Sequence, residues 1–224
     1  MQEPILLIGG NSGIGEALAG RLRDRGRTVI TAHRSGNPAL DVTSENPDFP
    51  VIDGPLGGLV YLPGSINLKP FASLKAADFS ADFNINVLGA VKTLQHYQQA
   101  LRAGEQASVV LFSTVAVGTG MAFHASVAAA KGAVEGLARS LAAEWAPAVR
   151  VNVLAPSLTD TPLAARLLRN DKQRESGAQR HPLHRIGTPE DVAAAADFLL
   201  DPTNGWITGQ VWNVDGGLGA VRTA

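Results

Sequence analysis

The stretch ILLIGGNSGIGEALAGRL, from Ile5 to Leu22, sets the architecture of the whole chain. Ile5 to Ile8 are four consecutive apolar residues, short and β-branched enough to predict a parallel strand buried on both faces. Gly9, Gly13 and Gly15 follow at GxxxGxG spacing, and a helix begins with Ile14, Ala17, Leu18 and Leu22 on its inner face. A strand, a glycine turn and a helix in this order suit an anion. Backbone without Cβ atoms approaches a pyrophosphate closely, and free N–H groups at the positive end of the helix dipole hold it. Glycine also serves such turns for steric reasons alone, so the trio by itself leaves both a ligand and a no-ligand reading open.

Composition narrows the class. The 224 residues are 45% hydrophobic and 17% charged with a formal net charge of -1. That fits one α/β domain over residues 1–224 and argues against a disordered, fibrous or nucleic-acid-binding chain. With no cysteine there is no disulfide, no thiolate nucleophile and no Cys-ligated zinc, and no metal site is expected. The opening MQEPILLIGG has no basic segment leading into a signal-like apolar run, so a cytoplasmic protein is expected. Glycines, alanines and charges interrupt every apolar run short of the ~20 residues of a membrane helix.

Outward from the opening stretch, the first helix is expected to end near Arg25, with Gly26 closing it, before a short strand at Thr28 to Ala32. His33 and Arg34 follow. A guanidinium past the second strand of such a fold can form paired hydrogen bonds to a ribose 2′-phosphate, which favours NADP over NAD; the plain alternative is a solvated arginine. From Gly36 to Gly58, Pro38, Pro47, Pro50 and Pro55 break every helical run, and only Leu40 to Thr43 looks structured. Any third strand there should be vestigial, because a parallel crossover needs a dozen residues or so.

Leu59 to Leu62 is the next strand, stopped by Pro63 and Gly64 at the edge where α/β ligands bind. A long helix within Ala76 to Arg102 is expected to bury Phe83, Val87, Ala90, Val91 and Leu94. Asn86 inside it is either exposed or holds a water and a bent backbone beside a site. Ser108 to Phe112 is a strand ending in Ser113 and Thr114. The alanine-rich segment from His124 to Trp145 predicts a helix packed on the sheet and against another subunit, with His124, Val127 and Lys131 on one face. Arg150 to Leu154 and Val211 to Val214 complete a parallel sheet of at least six strands. The basic run from Arg166 to Arg185 reads as a solvated face rather than an acidic-substrate site. Thr188 should cap a helix from Pro189 to Leu200.

The whole from Ile5 to Gly217 resembles the short-chain dehydrogenase/reductase family. IGGNSGIG resembles its TGxxxGIG turn, LDVT its adenine segment, and INVLGA its active-site asparagine block. AAAKGAVEGLARSLAAEW, VRVNVLAPSLTDTPL, HPLHRIGTPEDVA and WITGQVWNVDGG resemble its later blocks in the right order. The resemblance implies a Rossmann-type doubly wound parallel sheet, a homodimer or homotetramer, and hydride chemistry on a small carbonyl or alcohol, with no nucleic-acid or membrane partner. It places NADP(H) on the turn residues Gly9, Asn11, Ser12, Gly13, Ile14 and Gly15, and on Arg34, Asp41 and Val42. Gly64, Lys131, Pro156, Thr159 and Thr161 would hold the nicotinamide side.

Three departures stand out. Tyr61, Leu62, Pro63 and Gly64 replace the family's NNAG turn. Thr114 stands for its active-site serine. Its YxxxK motif reads Val127 to Lys131, without the catalytic tyrosine. Asn86, Thr114 and Lys131 would remain as catalytic residues. Val127 cannot pass a proton, a role worth roughly 10² to 10⁴ in rate. Two readings follow. One is an NADP-dependent oxidoreductase with an altered proton donor, His124 leading because imidazole exchanges protons near neutral pH. The other is an NADP(H)-binding protein without turnover, a sensor or inactive partner subunit. Val117, Met121, Phe123, Leu158 and Leu163 would line an apolar substrate pocket.

Overall fold

The computed structural model describes residues 3–36 and 39–222. Six parallel strands form one sheet in the order β2-β1-β3-β4-β5-β6. They are β1 (Ile5–Ile8), β2 (Val29–Ala32), β3 (Gly58–Tyr61), β4 (Ala107–Phe112), β5 (Val149–Pro156) and β6 (Val211–Val214). Successive side chains of a strand point to opposite faces, and here both faces are covered. Ile5 and Leu7 enter one apolar layer with Leu18, Leu22 and Leu199, while Leu6 and Ile8 enter the other with Val87, Leu94 and Val134. That double burial is why the run from Ile5 to Ile8 is apolar throughout.

On the first face lie α1 (Gly13–Asp24) and α7 (Pro189–Leu200). The buried carboxylate of Asp197 accepts hydrogen bonds from Arg21 Nε at 2.7 Å and Arg25 Nη1 at 2.8 Å, locking the two helices together. Thr188 caps α7 as expected, its side chain accepting from the Asp191 N–H while the Asp191 carboxylate accepts from the Thr188 N–H.

Between Ala32 and Gly58 the described residues hold neither strand nor helix. No third strand forms among them, in keeping with the expectation that any there be vestigial at most, and β2 is an edge of the sheet. Leu40 and Val42 are buried, but Asp41 Oδ1 accepts from the Thr43 N–H and hydroxyl at 2.9 and 2.7 Å, so LDVT is a turn. Pro38 lies outside the described residues. The rest of the segment is pinned by Phe49 stacking on His96 with ring centroids 4.7 Å apart, and by the Tyr97 hydroxyl donating to the Pro50 carbonyl at 2.8 Å.

The second face carries the expected long helix, but in three parts. α2 (Ala76–Phe83) runs into a π-helical turn at Asn84–Leu88, and α3 (Gly89–Arg102) continues from it. The wider turn shifts the helical phase, so Phe83 is 41% exposed and Asp82, not Phe83, is buried. Two helices escaped the sequence reading. α4 (Val115–Thr119) follows directly on Thr114, and α6 (Asp171–Gln179) sits inside the basic run, capped by Asn170. α5 (Ala125–Trp145) starts one residue late, with His124 as its capping residue rather than its first.

Candidate active site

The carboxyl ends of β1, β3, β4 and β5 open on one cavity of about 1000 Å³. Every residue that the family resemblance assigned to a cofactor lies on its wall, from Gly9 through Arg34 to Thr161. Thr114, His124 and Lys131 also line it; Asn86 does not. At the glycine turn, Gly13 has φ +51, and a Cβ there would stand 3.2 Å from the side chain of Thr161. The turn is thereby pressed against the segment after β5, and bare backbone faces the cavity between them.

At one end, Arg34 is exposed on the rim. Ser35 ties the turn to the end of β2, its hydroxyl accepting from Asn11 Nδ2 at 3.2 Å and lying 3.1 Å from His33 Nδ1. The hydrogen bonds from Thr43 hold the Asp41 carboxyl below its ordinary range.

At the other end, Lys131 reaches from α5 to donate from Nζ to the Phe112 carbonyl at 2.8 Å. Burial pushes its ammonium down to about 8, and the charge of Asp82 opposes that push. Asn86 lies beneath the wall, held by the π turn. Its Nδ2 donates to the Asp82 carbonyl at 2.7 Å and to Ser65 Oγ at 2.9 Å, and the Ser65 hydroxyl donates to Asp82 Oδ1 at 2.6 Å. Asn86 Oδ1 and Asp82 Oδ2 are buried without a protein partner. A Cβ on Gly64 would come within 3.2 Å of Asn86 Oδ1 and 3.3 Å of Lys131 Nζ, so glycine there leaves open the space where the two polar groups converge. Such a pocket of unmet hydrogen-bond capacity fits the hydroxyls of a ribose or bridging water.

Thr114 Oγ1 accepts from the Ala116 N–H at 3.3 Å, which leaves its own proton free for the cavity. Val127 presents an apolar, buried surface on the same wall. His124 Nδ1 lies 2.8 Å from the Ala122 carbonyl. A carbonyl only accepts, so Nδ1 donates this hydrogen bond and Nε2 is left to face other partners.

Of the expected substrate-pocket residues, Met121, Leu158 and Leu163 line the cavity. Val117 packs instead toward Gly132 of α5, and Phe123, at a left-handed φ of 69°, turns out to solvent. The basic run divides: Arg174 and Arg185 pair with Asp160 and Asp191 on the surface, while Lys172 and Arg180 stand on the cavity wall. Sequence reasoning missed Asp82, Ser65 and Ser157. Asp82 gave no signal because helical spacing, without the π turn, puts it on the solvent side.

A doubly wound parallel sheet with a glycine turn at its carboxyl edge defines a Rossmann-type protein. A family model described as enoyl-(acyl carrier protein) reductase matches residues 52–219. The 3-oxoacyl-[acyl-carrier-protein] reductase MabA of Mycobacterium tuberculosis is 33% identical over 96% of this chain and 92% of its own. A short-chain type dehydrogenase/reductase from Mycobacterium ulcerans superposes with a TM-score of 0.88 at 29% identity, covering 99% of this chain and 92% of that one. ElxO, solved with NADP bound, gives 0.83 at 26% identity over 97% and 99%. The chain belongs to the short-chain dehydrogenase/reductase family. Among the described residues no helix is long and apolar enough to cross a membrane.

Proposed function

We propose that the protein is an NADP-dependent cytoplasmic oxidoreductase that interconverts a small carbonyl and its alcohol with a proton donor other than residue 127. The observation that carries this reading is the cavity itself, which joins the glycine turn and Arg34 at one end to Lys131 and Thr114 at the other. The chemistry that a bound nicotinamide supplies is hydride transfer to or from the carbonyl carbon. Arg34 supports NADP by offering a guanidinium to a 2′-phosphate, with no acidic residue on either side of it in His33 and Ser35. Lys131, with one protein partner for its three N–H groups, holds ribose hydroxyls, and Thr161 and Pro156 border the carboxamide side. The free Thr114 proton orients the carbonyl oxygen. Asn86, through Ser65, fixes the π turn beneath them. His124, whose ring is on the cavity wall with Nδ1 on the Ala122 carbonyl, is the donor that the sequence nominates, and it would give a proton from Nε2 when that nitrogen carries one.

Phe83 and Leu88 are exposed apolar residues on the surface of α2 and the π turn. Covering them in a homodimer or homotetramer is the assembly proposed, and a monomer by light scattering at micromolar concentration would contradict it.

The test of function is NADPH consumption with carbonyl probes, including acetoacetyl-CoA and tropinone, beside NADPH binding by fluorescence. Consumption supports the oxidoreductase. Binding without consumption of NADPH by any probe favours the non-catalytic binder, a reading that Val127 motivates.

A further inference from the structure

A second imidazole stands behind the cavity. His181, 3% exposed, follows α6, and its Nδ1 lies 2.8 Å from the Gly177 carbonyl. Since that carbonyl only accepts, Nδ1 carries a proton and the other nitrogen is fixed as the reactive one. That nitrogen, Nε2, is 2.8 Å from Ser157 Oγ. Ser157 lines the cavity and stands just past Pro156 at the end of β5. β4 and β5 are neighbours with Phe112 opposite Leu154, so Thr114 and Ser157 leave the sheet side by side. Gly216 closes the far side of the ring, since a Cβ there would lie 3.4 Å from His181 Cβ. The buried imidazole therefore communicates with the cavity through one hydroxyl.

We infer that Ser157, backed by His181, exchanges the proton with the substrate oxygen that residue 127 cannot supply. The inference rests on the oxidoreductase reading above. As a carbonyl carbon gains hydride, its oxygen takes the Ser157 hydroxyl proton, and Ser157 Oγ takes the Nε2 proton of a His181 that has first been protonated on both ring nitrogens. The new O–H bond is on the product, the Ser157 O–H is remade, and His181 is left neutral with Nδ1–H still on Gly177. In alcohol oxidation each transfer reverses. Ser157 is a catalytic residue in this scheme and His181 a positioning residue that stores the proton. His124 lacks such backing, because its described partner is the Ala122 carbonyl alone and it sits on a half-exposed helix end.

The experiment has two readouts. The first needs neither cofactor nor substrate: a fluorophosphonate probe is incubated with the protein and adducts are mapped by mass spectrometry. Ser157 Oγ attacks phosphorus, fluoride leaves, and the hydroxyl proton passes to His181 Nε2. An adduct at Ser157, formed at least tenfold more slowly in H181Q, is expected. No adduct at Ser157 in the wild-type protein overturns the pair. The second is steady-state reduction of acetoacetyl-CoA and tropinone by NADPH. In S157A, kcat should fall about 10² to 10³-fold with KM and NADPH affinity within threefold, H181Q should fall similarly, and S157T should recover at least a tenth of the rate. A wild-type rate in S157A, or a loss in S157T equal to that in S157A, overturns the inference while leaving the oxidoreductase intact. Absence of wild-type turnover with labelling at Ser157 overturns the oxidoreductase reading and supports the activated hydroxyl.

Discussion

Lys131 Nζ donates to the Phe112 carbonyl at 2.8 Å, fastening the middle of one helix to the last residue of the strand beside it. An ammonium so buried is costly to fold around, and its depressed value of about 8 carries a pH signature. The folded state binds this proton less tightly than the unfolded state, so the cost is fully present below about 8. It is lifted as pH rises from there toward 10.5, the ordinary lysine value. Lys131→Met should therefore stabilise the cofactor-free protein by a few kcal/mol near pH 7, with the gain shrinking above pH 8. Urea unfolding across that range measures it, and a pH-independent difference would contradict the assignment.

Gly13→Asp places a negative charge at the turn, at a left-handed φ and against Thr161. NADPH affinity should fall at least about 100-fold by fluorescence titration. Unchanged affinity would remove the turn from the binding site.

Arg34→Asp should weaken NADPH about tenfold or more while leaving NADH nearly unchanged, because only the former has a 2′-phosphate for the guanidinium to meet. Equal losses for the two dinucleotides would show that Arg34 reads no phosphate.

Asp197→Ala strips the shared acceptor from Arg21 and Arg25. Both arginines are half-exposed and can rehydrate, so the expected loss is about 1 kcal/mol rather than the several expected when a buried charge is stranded. Chemical denaturation reads this directly, with NADPH affinity as an independent measure of whether the site is disturbed.

Val127→Tyr places a phenol one helical turn before Lys131. If Ser157 already delivers the proton, turnover should change less than about tenfold in either direction. A gain of several hundredfold would mean that the native cavity has no effective donor.

Much was legible in the chain because it depends on short-range chemistry. The strand from Ile5 to Ile8 declares itself by being apolar at every position, since both faces of a central parallel strand are covered. Thr188 and Asp191 announce the start of α7 because a cap is satisfied within three residues. The prolines likewise speak against helix from Gly36 to Gly58, and the described residues of that segment hold none. The order of blocks is enough to identify the family.

Only the tertiary structure decided the rest. The π turn at Asn84–Leu88 changes which residues face inward, and helical spacing cannot register one extra residue per turn, so Asp82 is buried where that spacing expects Phe83. Val117 and Phe123 left the pocket because α4 and a left-handed residue redirect them. Ser157 and His181 lie 24 positions apart, and nothing in either neighbourhood marks a hydroxyl and an imidazole that meet at 2.8 Å. Local propensity fixes elements and their ends; which polar side chains share a cavity is set by how β5 and the segment after α6 pack, a long-range property of the folded chain.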